Sequence, residues 1–107
     1  MGIAWEMMAF AGAATSLCVG CLVPNRWLPP LPNDKLMHFL AFALLTALGL
    51  RIADSAAEAL LWMLGLLVAG WLIECLQALV PGRGYCWRDL GANAAGIACV
   101  GLVWTIL

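Results

Sequence analysis

Three pairs of polar residues in this chain have the spacing that puts both members of a pair on the same face of an α-helix. The pairs are Asp34 with His38, Glu74 with Gln77, and Asp89 with Asn93. An imidazole beside carboxylates can exchange protons, and carboxylates and amides can hydrogen-bond a polar ligand. If each segment is helical, three helices can therefore direct a polar pair toward one common place.

Three basic residues accompany these pairs, and their cationic groups are suited to hold a phosphate or a carboxylate. We predict a ligand-binding polar cluster and assign no catalytic residue within it. The predicted polar cluster consists of Asp34, Lys35, His38, Glu74, Gln77, Arg83, Arg88, Asp89 and Asn93.

The cysteines and the histidine give no recognisable metal motif. The chain has five cysteines and one histidine, and their spacing matches no zinc pattern. Cys18 and Cys21 form a CxxC sequence inside an apolar segment, where small packing residues are expected rather than a redox pair. We therefore expect neither a metal site nor a cofactor.

The composition indicates a membrane protein. Of the 107 residues, 65% are hydrophobic and 10% are charged, and the mean hydropathy is +1.00. An average soluble domain is about 45–50% apolar and about 25% charged, so a water-soluble globule and a disordered chain are both excluded. Five basic against six acidic residues leave a net charge of −1, which argues against a nucleic-acid partner.

Four apolar blocks fit four membrane spans, which need roughly 20 residues each. They run approximately from Ile3 to Val23, Leu36 to Leu50, Ala57 to Val80 and Leu90 to Leu107. The sequence predicts an all-α polytopic membrane protein, a single domain of residues 1–107 in which four transmembrane helices are joined by short loops. In that arrangement the polar cluster lies at one end of the bundle, and Glu74 lies roughly 10 Å inside its helix end. A carboxylate at that depth is expected to face the bundle rather than lipid.

The order of these residues resembles the VanZ-like family of small bacterial membrane proteins. The resemblance covers residues 34 to 101, and it departs from the family at Cys86, where relatives often carry a hydroxyl. It is carried by Asp34-Lys35 before His38-Phe39, by Glu74-x-x-Gln77 before Pro81-Gly82-Arg83, and by Asp89 before Asn93-x-x-Gly96.

The resemblance implies a multi-pass protein of the bacterial inner (cytoplasmic) membrane. The family is named after a member associated with resistance to the glycopeptide antibiotic teicoplanin. It therefore implies a setting in the cell envelope, although it brings no established reaction. The orientation of the polar end stays open, because the positive-inside rule favours the cytoplasm whereas the resemblance favours the outside.

Two functions from different classes fit these features, and a third fits less well. The first is binding of a lipid head group or another envelope-related ligand, such as a lipid-linked or glycopeptide-related molecule, with membrane lipids as partners. The second is a structural or accessory subunit of a homo-oligomer or larger membrane complex, for which the small residues Gly12, Ser16 and Gly20 would supply a smooth helix face. An enzyme with His38 as acid or base is the least favoured, since no nucleophile motif accompanies it.

Overall fold

The computed structural model describes residues 3–22, 34–80 and 84–106, which contain four α-helices and no strand. The helices are α1 (Ile3–Leu22), α2 (Asp34–Ile52), α3 (Ala56–Gln77) and α4 (Trp87–Ile106). All four are long and apolar enough to cross a membrane, since about 20 helical residues span roughly 30 Å. The predicted fold class, an all-α bundle of four candidate transmembrane helices, is confirmed.

The helix boundaries differ from the predicted ones mainly at the polar end of the bundle. There, α2 begins at Asp34 and α4 at Trp87, two and three residues before the apolar blocks that begin at Leu36 and Leu90, because the polar first turns are helical as well. α3 ends at Gln77 instead of Val80. The N–H groups of Leu79 and Val80 donate to carbonyls three residues earlier in the chain, and this tighter hydrogen-bond pattern ends the α-helix.

The start of α3 is fixed by side-chain capping at Ser55 and Glu58. Ser55 is the N-cap, with an extended backbone conformation, and its Oγ accepts the backbone N–H of Glu58 at 3.1 Å. The Glu58 carboxylate in turn accepts the N–H of Asp54 at 3.5 Å. The link between α2 and α3 is therefore short, and the two helices run in opposite directions.

The second helix is the centre of the bundle, because α2 packs against each of the other three helices. Its most extensive contact is with α4, which runs in the same direction. Among the described residues, α1 packs against α2 and α3 but not against α4. The N-terminal ends of α2 and α4 therefore lie side by side, next to the C-terminal end of α3.

The closest approach of α2 and α4 is at Gly96. A Cβ atom placed there would lie 2.4 Å from the carbonyl oxygen of Phe39 and 3.0 Å from the backbone nitrogen of Ala43. Gly12 and Gly20 differ from it, since nothing lies within 4 Å of a Cβ at either position. Nothing in the described structure would therefore hinder a small side chain at Gly12 or Gly20.

The core is small and the outer surface is apolar. Phe42, Leu45 and Ile97 are almost completely buried, whereas large aliphatic side chains on every helix are exposed. Such an extensive apolar exterior suits contact with lipid chains rather than with water.

Candidate functional site

The N-terminal turns of α2 and α4 are joined by a chain of polar contacts. Lys35 Nζ lies 2.6 Å from Oδ1 of Asp89, and Nε2 of His38 lies 3.5 Å from the other carboxylate oxygen, Oδ2. One turn further along, Nδ1 of His38 and Oδ1 of Asn93 are 3.0 Å apart. His38, Asp89 and Asn93 are at most 5% exposed, so these contacts lie inside the protein, while the Lys35 side chain is 42% exposed.

The contact with Asn93 orients the imidazole of His38. Because an amide oxygen can only accept a hydrogen bond, this contact suits the tautomer of His38 that carries its proton on Nδ1. In the neutral ring the other nitrogen, Nε2, then presents its lone pair, and this nitrogen lies 3.5 Å from a carboxylate oxygen of Asp89. That separation is longer than an ordinary N–H···O hydrogen bond, which is about 2.9–3.0 Å. A cation or a second proton between the two atoms would make the contact favourable.

The third helix contributes Glu74, whose side chain is completely buried. Its Oε1 accepts the backbone N–H of Cys86 at 3.1 Å. The carbonyl of Cys86 accepts the N–H groups of Asp89 and Leu90 at the start of α4. Glu74 therefore fixes the position of the turn from which α4 begins.

His38, Glu74 and Asp89 form a compact group that we call the HED triad. One nitrogen or oxygen atom from each residue can be chosen so that all three atoms lie within 4.8 Å of one another. Each residue comes from a different helix, α2, α3 and α4 respectively. The sequence analysis placed all three residues in one predicted polar cluster, but no local motif shows the triad, because its members are 36 and 15 positions apart.

Gln77 does not join the triad, although the sequence placed it in the polar cluster. Its Nε2 donates a 2.8 Å hydrogen bond to the carbonyl oxygen of Cys21, and its side chain is 3% exposed. Carbonyl groups in the last turn of a helix lack partners within that helix. Gln77 supplies such a partner to α1, so its role in the structure is to join α1 to α3.

The remaining predicted residues lie at the edge of the site or outside the described residues. Arg88 is exposed in the first turn of α4. Arg83 and the side chain of Asp34 lie outside the described part of the chain. The described part of the site thus has Lys35 and Arg88 as its cationic groups, above a buried set of carboxylate, imidazole and amide groups.

Two aromatic residues stand where the chain enters α4. Tyr85 and Trp87 pack edge to face, with ring centroids 4.9 Å apart. Desolvation raises the pKa of the Tyr85 hydroxyl above its ordinary value of 10.0, and the nearby Cys75 and Glu74 add to the rise, while a hydrogen bond with Trp71 opposes it. The phenol therefore stays neutral over the physiological pH range beside the triad.

The opposite end of the bundle contains a second polar contact that the sequence did not predict. Glu6 on α1 is 5% exposed, and its Oε2 accepts a 2.6 Å hydrogen bond from Nε of Arg51 on α2. The Arg51 guanidinium also lies 5.9 Å from the centre of the Trp5 ring. The sequence signal for this pairing is an acidic residue within the first turn of an apolar helix.

An apolar groove of about 510 Å³ lies between α1, α2 and α3. Leu17, Phe42, Leu45, Leu66 and Ile73 contribute to its walls. Its volume falls within the usual range for small-molecule sites, and its lining suits a hydrocarbon chain.

No family model matches this chain, and no curated protein and no solved structure shows significant similarity to it. The resemblance to the VanZ-like family therefore rests on the motif residues alone. The fold defines the class to which the chain can be assigned, an all-α bundle of four helices that are long and apolar enough to cross a membrane.

Proposed function

We propose that this protein binds the polar head group of a membrane lipid or lipid-linked molecule at the end of the bundle where α2 and α4 begin. The observation that carries the proposal is that four buried polar side chains from α2, α3 and α4 lie together at one end of the bundle. Burial of charged groups in a membrane-embedded helix bundle costs free energy, and such residues usually mark a functional site. They are His38, Glu74, Asp89 and Asn93.

Lys35 and Arg88 are the groups that would meet an anionic head group first. Lys35 is partly exposed and Arg88 is exposed, and both lie in the first turns of neighbouring parallel helices. Helix N-termini favour anions, because their first N–H groups lack helical partners and carry partial positive charge. Tyr85 and Trp87 stand beside them, where an amphipathic ring suits the membrane interface.

The apolar groove between α1, α2 and α3 gives the hydrocarbon chain of the same ligand a place to lie. Ile73, which lines the groove, is followed in the sequence by Glu74 of the triad. The groove and the triad are therefore formed by neighbouring residues of α3. A ligand with a polar head and a long apolar chain uses both features, whereas a small soluble ligand uses the polar cluster alone.

The VanZ-like resemblance supplies the proposed setting. It favours the bacterial inner membrane and a lipid-linked or glycopeptide-related ligand of the cell envelope, in the context of glycopeptide resistance. We propose binding rather than catalysis, because the described polar residues include no nucleophile paired with a base.

Native mass spectrometry of the full chain in detergent tests this function. Phosphatidylglycerol, a polyprenyl phosphate and the zwitterionic phosphatidylcholine are titrated in parallel. We expect the two anionic lipids to bind more tightly than phosphatidylcholine. Arg88→Gln should weaken their binding about tenfold, as expected for the loss of about 1.4 kcal/mol.

The double variant Glu6→Gln/Arg51→Gln is the matched control, because it removes an ion pair at the opposite end without leaving a buried carboxylate alone. It should bind anionic lipids as the wild type does. Equal affinity for all three lipids, or equal losses in the control and in Arg88→Gln, would refute head-group binding at this end.

The alternative function, a subunit of a larger assembly, is favoured by one observation. A Cβ atom built at Gly12 would have nothing of the described chain within 4 Å, so α1 has room for close packing of another helix at this position. Purification in a mild detergent distinguishes the two functions. A chain that copurifies with a fixed partner supports the assembly, and a Gly12→Leu variant should then lose that partner.

A further inference from the structure

The HED triad has the spacing of a metal-binding site. Nε2 of His38 and Oδ2 of Asp89 are 3.5 Å apart, and two ligands of a tetrahedral ion at about 2.1 Å are about 3.4 Å apart. One ligand atom from each of His38, Glu74 and Asp89 can be chosen so that all three lie within 4.8 Å of one another, so side-chain movements of roughly 0.5 Å would bring them onto one ion. We propose that His38, Glu74 and Asp89 bind one divalent transition-metal ion of the Zn²⁺ or Mn²⁺ type.

Each member of the triad also has the outer contact that metal ligands usually have. In the tautomer that donates from Nδ1 to the side-chain oxygen of Asn93, Nε2 of His38 presents the lone pair that a metal ion needs. Oδ1 of Asp89 contacts Lys35, while Oδ2 faces the imidazole. A carboxylate oxygen of Glu74 accepts the N–H of Cys86. These contacts hold the three ligands in place from outside the triad.

The charge of the triad favours a cation. The buried side chains of Glu74 and Asp89 lie close together beside the His38 imidazole, and ionised carboxylates this close repel each other strongly where water is excluded. The nearest described cation, Lys35, contacts one oxygen of Asp89. A divalent ion at the triad would bridge both carboxylates and join α2, α3 and α4.

The ligand types indicate which ion fits. One imidazole and two carboxylates suit Zn²⁺, Mn²⁺ or Fe²⁺, whereas Ca²⁺ takes six to eight oxygen ligands and Mg²⁺ prefers oxygen ligands and water. Three protein ligands leave at least one coordination position open. An open position on a cation can accept an oxygen atom of a phosphate. The bound ion would then supply positive charge that attracts an anionic head group. That last step rests on the proposed function, but binding of the ion does not.

The test uses the full chain in detergent after treatment with a chelator, and Co²⁺ and Zn²⁺ as probes. We expect one ion per chain, with a Co²⁺ spectrum that shows nitrogen and oxygen ligands and no thiolate charge-transfer band. Glu74→Gln keeps the size of the side chain and its acceptor for Cys86, and it should weaken binding at least tenfold. Asn93→Leu, which removes the outer contact of His38, should weaken binding by about 10- to 100-fold.

Two controls separate the triad from other ligands. Glu6→Gln removes a buried carboxylate at the opposite end, and Cys18→Ser/Cys21→Ser removes the CxxC pair; both should bind the ion as the wild type does. A folded wild-type chain that binds no ion, or a thiolate band that disappears in the cysteine variant, overturns the proposal. Should Glu74→Gln fail to fold, X-ray absorption of the Zn²⁺-loaded wild type decides, since sulfur in the first coordination shell contradicts the triad.

Anionic-lipid titrations with and without Zn²⁺ separate this inference from the proposed function. One ion per chain together with unchanged lipid affinity supports the metal site and refutes a metal-assisted head-group site. Lipid binding that depends on Arg88 in a chain that binds no ion supports head-group binding and refutes the metal site.

Discussion

His38 on α2 and Asn93 on α4 are joined by a buried hydrogen bond of 3.0 Å between Nδ1 and Oδ1. The two residues are 5% and 1% exposed, and they lie one helical turn inside the ion pair of Lys35 with Asp89. Because α2 and α4 run in the same direction, no short loop can hold them together. Their polar contacts and the close approach at Gly96 therefore determine how the two helices pack.

Replacing Asn93 with leucine should destabilise the protein more than an ordinary polar-to-apolar change. The Nδ1–H of His38 would lose its acceptor in a water-excluded place, which costs about 1–3 kcal/mol. Thermal unfolding in detergent, followed by circular dichroism, measures the loss. Thr46→Val is the control, because Thr46 is equally buried but bonds only the Phe42 carbonyl of its own helix, at 2.7 Å. Equal melting temperatures for the two variants would contradict a special role for the interhelical bond.

Replacing Gly96 with valine should separate α2 from α4. A Cβ atom would meet backbone atoms of Phe39 and Ala43, and backbone cannot move aside as a flexible side chain can. We expect a loss of about 1–3 kcal/mol, the usual cost of overpacking, together with weaker metal binding as the triad widens. Gly91→Val on the same helix meets nothing within 4 Å and is exposed, so it isolates the effect of β-branching. If both variants melt alike, the close contact is not important for stability.

Replacing Gln77 with leucine should affect stability without affecting ligand binding. The change removes the 2.8 Å bond to the Cys21 carbonyl, which we expect to cost about 1 kcal/mol. Unfolding in detergent measures this cost, and lipid and metal titrations of the same sample measure binding. If the variant has normal stability but no longer binds lipid, Gln77 belongs to the binding site, as the sequence analysis predicts.

The fold could be predicted from the sequence because membrane spans have a simple physical signature. Four apolar blocks of the required length, separated by polar or proline-containing segments, leave helices as the one structure that satisfies the backbone in lipid. The exact ends were less predictable. At Asp34 and Trp87 the helices begin with polar or aromatic residues, which hydropathy alone assigns to loops.

The site was predicted only in part, because the spacing of residues within one helix does not show which residue of another helix each side chain contacts. Helical periodicity grouped Glu74 with Gln77, yet the two side chains serve different partners, Cys86 and Cys21. It indicated that three helices direct polar side chains toward one place, but not which atoms of His38, Glu74 and Asp89 approach one another. The same limit applies to Glu6, whose partner Arg51 is 45 residues away.

Titration of Tyr85 offers a direct probe of the charge beside the triad. The chain has one tyrosine, so the ultraviolet absorbance of tyrosinate reports on this residue alone. Its pKa is raised above 10.0 by desolvation first and then by Cys75 and Glu74, so we expect a midpoint above 10.0 in the folded protein and a lower midpoint in Glu74→Gln. Because the folded state favours the neutral phenol, its contribution to stability is present below pH 10.0 and is lost as the pH rises through the folded-state pKa. Zn²⁺ bound at the triad would offset the charge of Glu74, so it should lower the midpoint of Tyr85 as Glu74→Gln does. A midpoint that changes in neither experiment would show that the charge of Glu74 does not affect the pKa of Tyr85.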